Sequence, residues 1–463
     1  MKALESVLNS KVILQRVSPA IVSNQDEYIR FFGRIGQGGT RLSENELTYS
    51  IIKNQFPEIH DRMIAIMAEA GQLASEVDLV LAALRVAKTL APWAKAKEWE
   101  VISRPTPTFV SQMTDKVNVR SEFEKLMGLT DGVVILKGVL INLREALKYD
   151  KGIQNMGLPP MLLARMPREL IDTLILFAVK RGADSLWHSC DQKILVAFVL
   201  YWMLFVADDG KAAWLAFRFG AKPDWSFTQQ SIRGLIREYE REGAARVLPR
   251  FEALPALRKE VEQADHILRK WQERFIAVDK DSEQKPGDAL RILSTNMELT
   301  KRALIWLQRD YICDKFPNYD PTSGRDEELP VDLDHIIPQN VFGFDWREYG
   351  KRLRDEAVSD NFRWTRGVVG NSLGNYRWLS ASENRSRGDG AYVPIVDNLD
   401  LVTNSSDWNA LILRDANDHW SKEDIATFQR LINLRSLQLY ENLLTKSGIM
   451  DVLPNEQRDT SAT

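Results

Sequence analysis

The sequence has few of the residues that mark secreted or zinc-bound proteins. Only two of its 463 residues are cysteine, Cys190 and Cys313, and they stand far apart with no CxxC pair. A disulfide framework and a cysteine-rich zinc site are therefore not expected. The N-terminal residues lack the basic and apolar segments of a signal peptide. A cytoplasmic protein in a reducing compartment is predicted.

Long apolar runs and an excess of one charge are also missing. The longest apolar stretch, ILVAFVLYWMLFVA from Ile194 to Ala207, is shorter than the ~20 residues that a membrane-spanning helix needs. It predicts a buried core helix, and no membrane partner is expected. The formal net charge of -3 does not indicate nucleic-acid binding by the whole chain, so any basic surface must be local.

Most of the chain has the apolar spacing of helices. Residues 56–316 carry apolar side chains three and four positions apart, which predicts a large multi-helix domain in a mostly α (α+β) protein. The preceding segment, 1–55, holds a glycine-rich loop. Within it, Ser43 and Glu46 form the pattern of a capping box, which predicts that a helix begins at Ser43.

The C-terminal third changes in character. Three prolines, a glycine and an acidic run predict a linker over 317–330. Mixed, strand-like residues then predict a small domain over 331–400. Helical spacing returns over 401–452, which predicts helices that pack on the small domain. The final residues, 453–463, are polar and predict a disordered tail.

Candidate catalytic residues lie in the predicted small domain. The stretch VDLDHIIPQN places Asp334 beside His335, one of only five histidines. A neutral imidazole can deprotonate water near pH 7, and a carboxylate with an amide carbonyl suits Mg²⁺ or Mn²⁺. A base and a divalent cation are the main needs of phosphodiester hydrolysis. Neighbouring strand residues point to opposite faces, so a bend near Pro338 would be needed to bring both into one cleft.

Two asparagines further along the chain are candidates for the same site, and the spacing between them is the reason. Asn375 lies nine residues before Asn384 in GNYRWLSASENRSR, which is room for a strand, a turn and the start of a helix near Ser380. Asn371 is an alternative for the first of the two, at a spacing of thirteen. Taken singly, these residues are better explained as a strand end and as turn residues than as a catalytic site.

In this order, the elements resemble a known nuclease motif. The pattern D-H-I-x-P, then G-N, a second Asn nine residues later and a basic residue three after that is similar to the HNH (ββα-metal) nucleases, and more narrowly to the DUF1524 type. The resemblance implies that His335 is the general base and that Asp334 and Asn384 hold one divalent metal. Asn375 would fix the loop that orients the histidine. The usual lysine of the motif is Arg387 here.

The same segment is locally basic. Arginine forks suit phosphate oxygens and can position a DNA duplex without recognising its sequence. We expect DNA contacts from Arg377, Arg385 and Arg387. For the other basic residues a solvated surface remains the alternative. For the tryptophans we expect positions in the core. The basic residues are Arg347, Lys351, Arg352, Arg354, Arg363, Arg366, Arg377, Arg385 and Arg387, with Trp346, Trp364 and Trp378 among them.

The glycine-rich loop supports a second resemblance. It lacks the Lys-Ser/Thr pair of a Walker A motif, so Gly38 and Gly39 are weak candidates for nucleotide binding, and a plain loop between helices is the alternative. The loop is similar to an element near the end of the DUF262 domain, although Gly36 stands where that element has Asn. The matching residues are Phe32, Arg34, Ile35, Gly38, Gly39, Leu42, Glu46 and Leu47.

Together, the two ends resemble the DUF262/DUF1524 arrangement of GmrSD-like type IV restriction enzymes. This implies a DNA endonuclease of modification-dependent restriction and anti-phage defence. The D-G-Q-Q-R motif for nucleotide hydrolysis does not occur in the sequence. NTP use by this chain alone is therefore not expected, and a separate protein could supply the missing half of DUF262. The alternative function is a catalytically silent DNA-binding or regulatory subunit of a defence complex.

Overall fold

The computed structural model describes most of the chain between Ser43 and Pro454. The described residues are 43–71, 73–93, 96–130, 132–153, 155–182, 185–263, 287–321, 330–339, 369–388, 405–413 and 422–454. The glycine-rich loop with Gly38 and Gly39 lies outside them, as do most of the predicted linker and tail. The described part is mostly helical, as predicted, with one two-stranded sheet.

The described residues fall into two compact units, which divide the chain at Ala65 and Val133. The first unit holds the residues up to Ala65 and those of 75–133; the second holds 66–74 and everything after Val133. This division falls inside the region predicted as one helical domain. The helices of the first unit are α1 (Glu44–Gln55), α2 (Ile59–Ala70, divided after Ala65), α3 (Glu76–Leu90), α4 (Glu98–Ile102), α5 (Pro107–Ser111) and α6 (Val117–Met127).

The second unit carries the remaining helices and the sheet. Its elements before the sheet are α7 (Ile135–Leu147), α8 (Pro160–Leu163), α9 (Arg168–Arg181), α10 (Ser189–Phe205), α11 (Asp209–Gly220), α12 (Gln229–Arg241), α13 (Leu254–Gln263), α14 (Gly287–Thr295), α15 (Met297–Leu307) and α16 (Arg309–Lys315). The later elements are β1 (Val331–His335), β2 (Tyr376–Ser380), α17 (Ala381–Arg387), α18 (Ser405–Ile412), α19 (Lys422–Lys446) and α20 (Ile449–Val452).

Helix α1 begins where the capping box predicts. The Ser43 hydroxyl accepts a hydrogen bond from the Glu46 amide at 3.2 Å, and the Glu46 carboxylate accepts one from the Ser43 amide at 2.7 Å. Two amides that the first turn leaves unpaired are thereby satisfied. The core of the first unit includes a ring contact between Phe56 and Phe123, with centroids 5.4 Å apart.

Helix α10 is the core helix of the second unit. Every residue from Leu195 to Phe205 is buried, which confirms the prediction from the apolar run. A helix that is apolar on all sides must be surrounded by other elements, because no face of it favours water. Within the part of the chain that the structure describes, no helix combines the length and the apolar character needed to cross a membrane.

Strands β1 and β2 form an antiparallel pair that leads directly into α17. Asp334 lies opposite Arg377 and His335 lies opposite Tyr376. Helix α17 follows at once because Ser380 caps it, with its hydroxyl accepting from the Glu383 amide at 3.3 Å. The order strand, strand, helix is the arrangement that the motif spacing predicts for this segment.

On the edge of β2 that faces away from β1, backbone amides and carbonyls form hydrogen bonds with side chains from outside the sheet. Gln308 accepts from the Trp378 amide at 2.6 Å and donates to the Trp378 carbonyl at 3.0 Å. The Tyr311 hydroxyl accepts from the Ser380 amide at 2.9 Å, and Arg435 donates to the carbonyl of Tyr376 at 2.9 Å. Since β2 is buried along its whole length, unpaired backbone groups there would be costly.

Helix α19 packs behind the sheet on the short 3-10 turn Leu373–Asn375. A β-carbon at Gly374 would lie 2.0 Å from the carbonyl oxygen of Ile432, so only glycine allows this approach. The guanidinium of Arg435 donates to the Gly374 carbonyl at 2.9 Å. This close contact fixes the turn that precedes β2 and carries Asn375.

Candidate active site

His335 ends β1 with its ring in a defined hydrogen-bonding environment. Its Nε2 lies 3.0 Å from Oδ1 of Asn371, and the Tyr376 hydroxyl donates to the same oxygen at 3.1 Å. The Tyr376 ring packs against the imidazole with centroids 4.5 Å apart. Because an amide oxygen only accepts, Nε2 carries the proton and the lone pair lies on Nδ1.

The surroundings of His335 favour the neutral ring. Burial lowers the pKa of His335, and this outweighs the opposing effect of the hydrogen bond to Asn371. A histidine with a lowered pKa is unprotonated at neutral pH. It can therefore take a proton from water, which is the property that a general base needs.

Asn375 fixes the chain immediately after the histidine. Its side chain is fully buried and accepts from the Ile337 amide at 2.8 Å while donating to the Ile337 carbonyl at 3.1 Å. It also donates to the Gly370 carbonyl at 2.8 Å. Asn375 thus touches backbone rather than the imidazole, which agrees with the positioning role that the resemblance implies.

Asp334 points away from the histidine into an internal ion cluster. Arg377 donates from Nε to its carboxylate at 2.9 Å, and Nη1 of Arg387 contacts both carboxylate oxygens at 2.8 and 2.9 Å. Only 6% of the Asp334 side chain is exposed. Adjacent strand residues alternate between faces, so the two side chains leave β1 on opposite sides, but the charge of Asp334 still raises the pKa of His335.

Asn384 contacts Asp332, an acid to which the sequence analysis gives no role. Its Nδ2 lies 3.4 Å from Oδ2 of Asp332, two residues before Asp334 on the same face of β1. The amide nitrogen, which cannot bind a metal cation, is the atom turned toward this carboxylate. Asn384 and Asp332 therefore face each other across α17 and β1 as a hydrogen-bonded pair.

The predicted metal ligands do not fit a divalent cation in this arrangement. Both oxygens of Asp334 already accept from guanidinium groups, and two positive charges lie where a cation would bind. Asn384 presents its nitrogen to Asp332. Among the described residues, no three His, Cys, Asp or Glu side chains are grouped so as to hold a metal. In this arrangement the Asp334 oxygens and the Asn384 nitrogen have partners within the protein, and joint metal binding by Asp334 and Asn384 stays a prediction.

Two of the three arginines predicted to contact DNA turn inward in this structure. The side chains of Arg377 and Arg387 are 1% and 6% exposed, and both form ion pairs with Asp334. Arg385, on the outer face of α17, is exposed and can reach an external phosphate. The other predicted basic residues, from Arg347 to Arg366, lie outside the described residues.

Three residues at the site were not assigned a role by the sequence. Asn371, the alternative to Asn375, forms a hydrogen bond with the His335 ring, whereas Asn375 binds the backbone of Ile337. Both asparagines therefore help to position the histidine. Tyr376 lies opposite His335, and Asp332 shares a face with Asp334. The two-residue alternation of a strand is the signal that points to Asp332.

Neither a protein-family model, nor a curated protein, nor a solved structure matches this chain. The likeness to HNH nucleases therefore rests on the motif residues and on the geometry around them. That geometry consists of a ββα unit, a neutral histidine at the end of its first strand, and an asparagine that fixes the chain after the histidine.

Proposed function

We propose that the second unit is a DNA endonuclease of the HNH type, which hydrolyses phosphodiester bonds with His335 as its general base. The observation that carries this proposal is the imidazole at the end of β1. Asn371 holds it as the tautomer with a basic Nδ1, and burial keeps it neutral. A fixed tautomer and a neutral ring are the two properties that a histidine needs in order to accept a proton from water.

The reaction requires one proton transfer at the histidine. Nδ1 of His335 takes a proton from water, and the water oxygen forms a bond to phosphorus as the bond to the leaving oxygen breaks. The proton that remains on Nε2 keeps its hydrogen bond to Asn371 as the ring becomes positive. Asn375, by holding the residue two positions later, prevents the end of β1 from shifting during this step.

DNA is the proposed substrate, and Arg385 is the proposed phosphate contact on α17. The proposed cofactor is one Mg²⁺ or Mn²⁺ ion, which would stabilise charge on the phosphate. The negative charge of Asp334 raises the pKa of His335 and so supports its role as a base, although burial has the larger, opposite effect. The proposed setting is modification-dependent restriction or anti-phage defence, with a separate protein as a candidate partner for the N-terminal segment.

A catalytically silent DNA-binding or regulatory subunit is the second candidate function. The observation that favours it is the internal ion cluster, in which Asp334 is bound by Arg377 and Arg387 instead of being open to a metal. Under this alternative, the ββα unit would bind DNA through exposed groups such as Arg385 without cutting it.

The test is cleavage of plasmid and of modified and unmodified linear DNA, with Mg²⁺ or Mn²⁺ and with or without NTP. His335→Ala should reduce the cleavage rate by roughly 10²-fold or more, the usual contribution of a general base. His188→Ala is the matched control, because His188 is exposed and lies far along the chain from the site.

Three outcomes distinguish the candidates. Cleavage that is lost in His335→Ala and kept in His188→Ala supports the nuclease. DNA binding without cleavage under all of these conditions supports the silent subunit. Cleavage that is equal in the wild-type protein and His335→Ala would rule out the base assigned here.

A further inference from the structure

We infer that the Tyr376 hydroxyl sets the tautomer of His335, by fixing which end of the Asn371 side-chain amide faces the imidazole. The inference deepens the proposed function, on which it rests for the role of His335 as a base. The hydroxyl acts on the ring through Asn371, so Tyr376 is a positioning residue. The sequence resemblance gives it no role.

The three side chains form one hydrogen-bonded chain beside the strand pair. The Tyr376 hydroxyl donates to Oδ1 of Asn371 at 3.1 Å, and Nε2 of His335 lies 3.0 Å from the same oxygen. Tyr376 lies directly opposite His335 in the register of the strands, and the two rings pack with centroids 4.5 Å apart. One amide oxygen can receive both hydrogens because it carries two lone pairs.

The amide of Asn371 can meet the imidazole in two ways. With Oδ1 toward the ring the amide accepts, and Nε2 of His335 carries the hydrogen. With Nδ2 toward the ring the amide donates, and the hydrogen lies on Nδ1 instead. The second arrangement removes the Nδ1 lone pair that takes the proton from water in the proposed reaction. The orientation of one amide therefore decides whether the ring is basic at Nδ1.

The Tyr376 hydroxyl selects the first arrangement. Only 3% of Tyr376 is exposed, and burial raises the pKa of its hydroxyl to about 12, so the hydroxyl keeps its hydrogen at neutral pH. Oδ1 of Asn371 accepts that hydrogen. If the amide turned around, Nδ2 would face the hydroxyl, and the phenol hydrogen would lose this acceptor in a largely buried position. Such a loss is costly, so the amide oxygen stays between the two rings.

The tyrosine itself is held in place, so its hydroxyl cannot follow a rotated amide. Arg435 donates to the carbonyls of Gly374 and Tyr376, at 2.9 Å each, and so fixes the backbone where β2 begins. The pairing of Tyr376 with His335 fixes the ring on the same face as the imidazole. The amide of Asn371 is therefore the group that adapts to the hydroxyl.

A role in packing alone is the alternative for Tyr376, because its ring would stabilise the strand pair without any hydroxyl. Tyr376→Phe separates the two roles, since it keeps the ring and removes only the hydroxyl. Tyr440→Phe is the matched control. Tyr440 is a fully buried tyrosine of α19 in the same unit, and its hydroxyl has no hydrogen-bond partner among the described residues.

The experiment is nitrogen-15 NMR of the histidine rings in the full chain, without DNA and at about pH 9, where histidine is neutral. A ring nitrogen that carries hydrogen and one that carries the lone pair give separate shifts, and His335→Ala identifies the signals of His335. Tyr376→Phe should lower the ratio of the Nε2-protonated to the Nδ1-protonated ring by about fivefold, the factor that one typical hydrogen bond contributes. Tyr440→Phe should leave the ratio unchanged.

Asn371→Asp provides a background in which the hydroxyl should no longer matter. A carboxylate has no nitrogen end, so it accepts from Nε2 of His335 in either orientation. Adding Tyr376→Phe to Asn371→Asp should therefore leave the tautomer ratio unchanged. An equal drop in both backgrounds would overturn the inference, as would no drop when Tyr376→Phe is made alone.

The wild-type spectrum is a test that needs no variant, and it decides the matter if Tyr376→Phe fails to fold, as judged by circular dichroism. The Nε2-protonated ring of His335 should predominate in the wild-type protein. A majority of the Nδ1-protonated ring would show that the hydroxyl does not hold the Asn371 oxygen toward the imidazole, and would overturn the inference.

Failure of this inference is distinguishable from failure of the proposed nuclease. The tautomer is measured without DNA, so the expected drop in a protein that never cuts would support the role of Tyr376 and leave the silent subunit as the function. In a protein that cuts, Tyr376→Phe should lower kcat in proportion to the remaining share of the Nε2-protonated ring and leave KM unchanged. Cleavage that requires His335, with a tautomer ratio unaffected by Tyr376→Phe, would support the nuclease and refute the role of Tyr376.

Discussion

Removal of the Asn375 side chain offers a direct test of how the histidine is positioned. Asn375→Ala deletes three buried hydrogen bonds, of 2.8, 3.1 and 2.8 Å, that join Asn375 to Ile337 and Gly370. One backbone amide and two carbonyls lose this partner in a site that is fully closed to water. Leaving a buried polar group unsatisfied costs about 1–3 kcal/mol, and partial relaxation makes the sum smaller than three such costs. We expect the free energy of unfolding of the second unit to fall by about 3 kcal/mol.

Two measurements check this expectation. Urea unfolding gives the change in free energy, and hydrogen exchange of the Ile337 amide reports whether the loss is local. Asn371→Ala is the control, since it deletes the same amide group from an exposed position and should cost under about 1 kcal/mol. Asn375→Asp keeps the shape of the side chain but turns a carboxylate oxygen toward the carbonyls of Ile337 and Gly370, so at pH 7 it should destabilise as much as alanine.

The reasoning would be refuted by a particular pattern of results. If Asn375→Ala cost less than about 1 kcal/mol and the Ile337 amide remained as protected as in the wild-type protein, the three bonds would not be what holds the end of β1. A fully stable Asn375→Asp variant would show that the hydrogen bonds donated to the carbonyls of Ile337 and Gly370 contribute little to stability. Either result would remove the support for a fixed His335 backbone.

Three further predictions concern the same unit. Gln308→Ala should lower the free energy of unfolding by about 2–3 kcal/mol in urea melts, because both backbone groups of Trp378 lose their partner; a cost near zero would contradict this. The midpoint of the decline in cleavage toward acid pH should lie below 6.5, the ordinary value for histidine, because burial lowers the pKa of His335; a midpoint above 6.5 would oppose it. Burial of Glu383 opposes its ionisation, but hydrogen bonds, led by that from Lys315, lower its pKa to about 2. The stability that it contributes is present above pH 4.5 and lost between pH 4.5 and 2, and Glu383→Gln should abolish this dependence in acid unfolding curves.

The parts of the fold that depend on local spacing could be predicted from the sequence. The apolar run from Ile194 to Ala207 identifies α10 because it is longer than a typical buried strand and shorter than a membrane span. The start of α1 at Ser43 follows from chemistry within one helical turn. Such features need no knowledge of distant parts of the chain.

Partners of long side chains could not be predicted in the same way. The positions of Arg377 and Arg387 near the motif suggested DNA contacts, but both guanidinium groups turn inward to Asp334. The direction of an arginine depends on strand register and on the path of the following helix, and residue spacing specifies neither. The roles of Asn371 and Asn375 could not be predicted either. Only the structure shows that Asn371 contacts the His335 ring and that Asn375 binds the backbone of Ile337.

The side chains that satisfy the outer edge of β2 also decide which partners this sheet can accept. An unprotected edge strand would offer its amides and carbonyls to a strand from another chain, the usual route to strand addition and to aggregation. Gln308, Tyr311 and Arg435 occupy those groups from helices of the same unit. A partner strand therefore cannot extend the sheet at this edge of β2, because its amides and carbonyls already have partners within the unit.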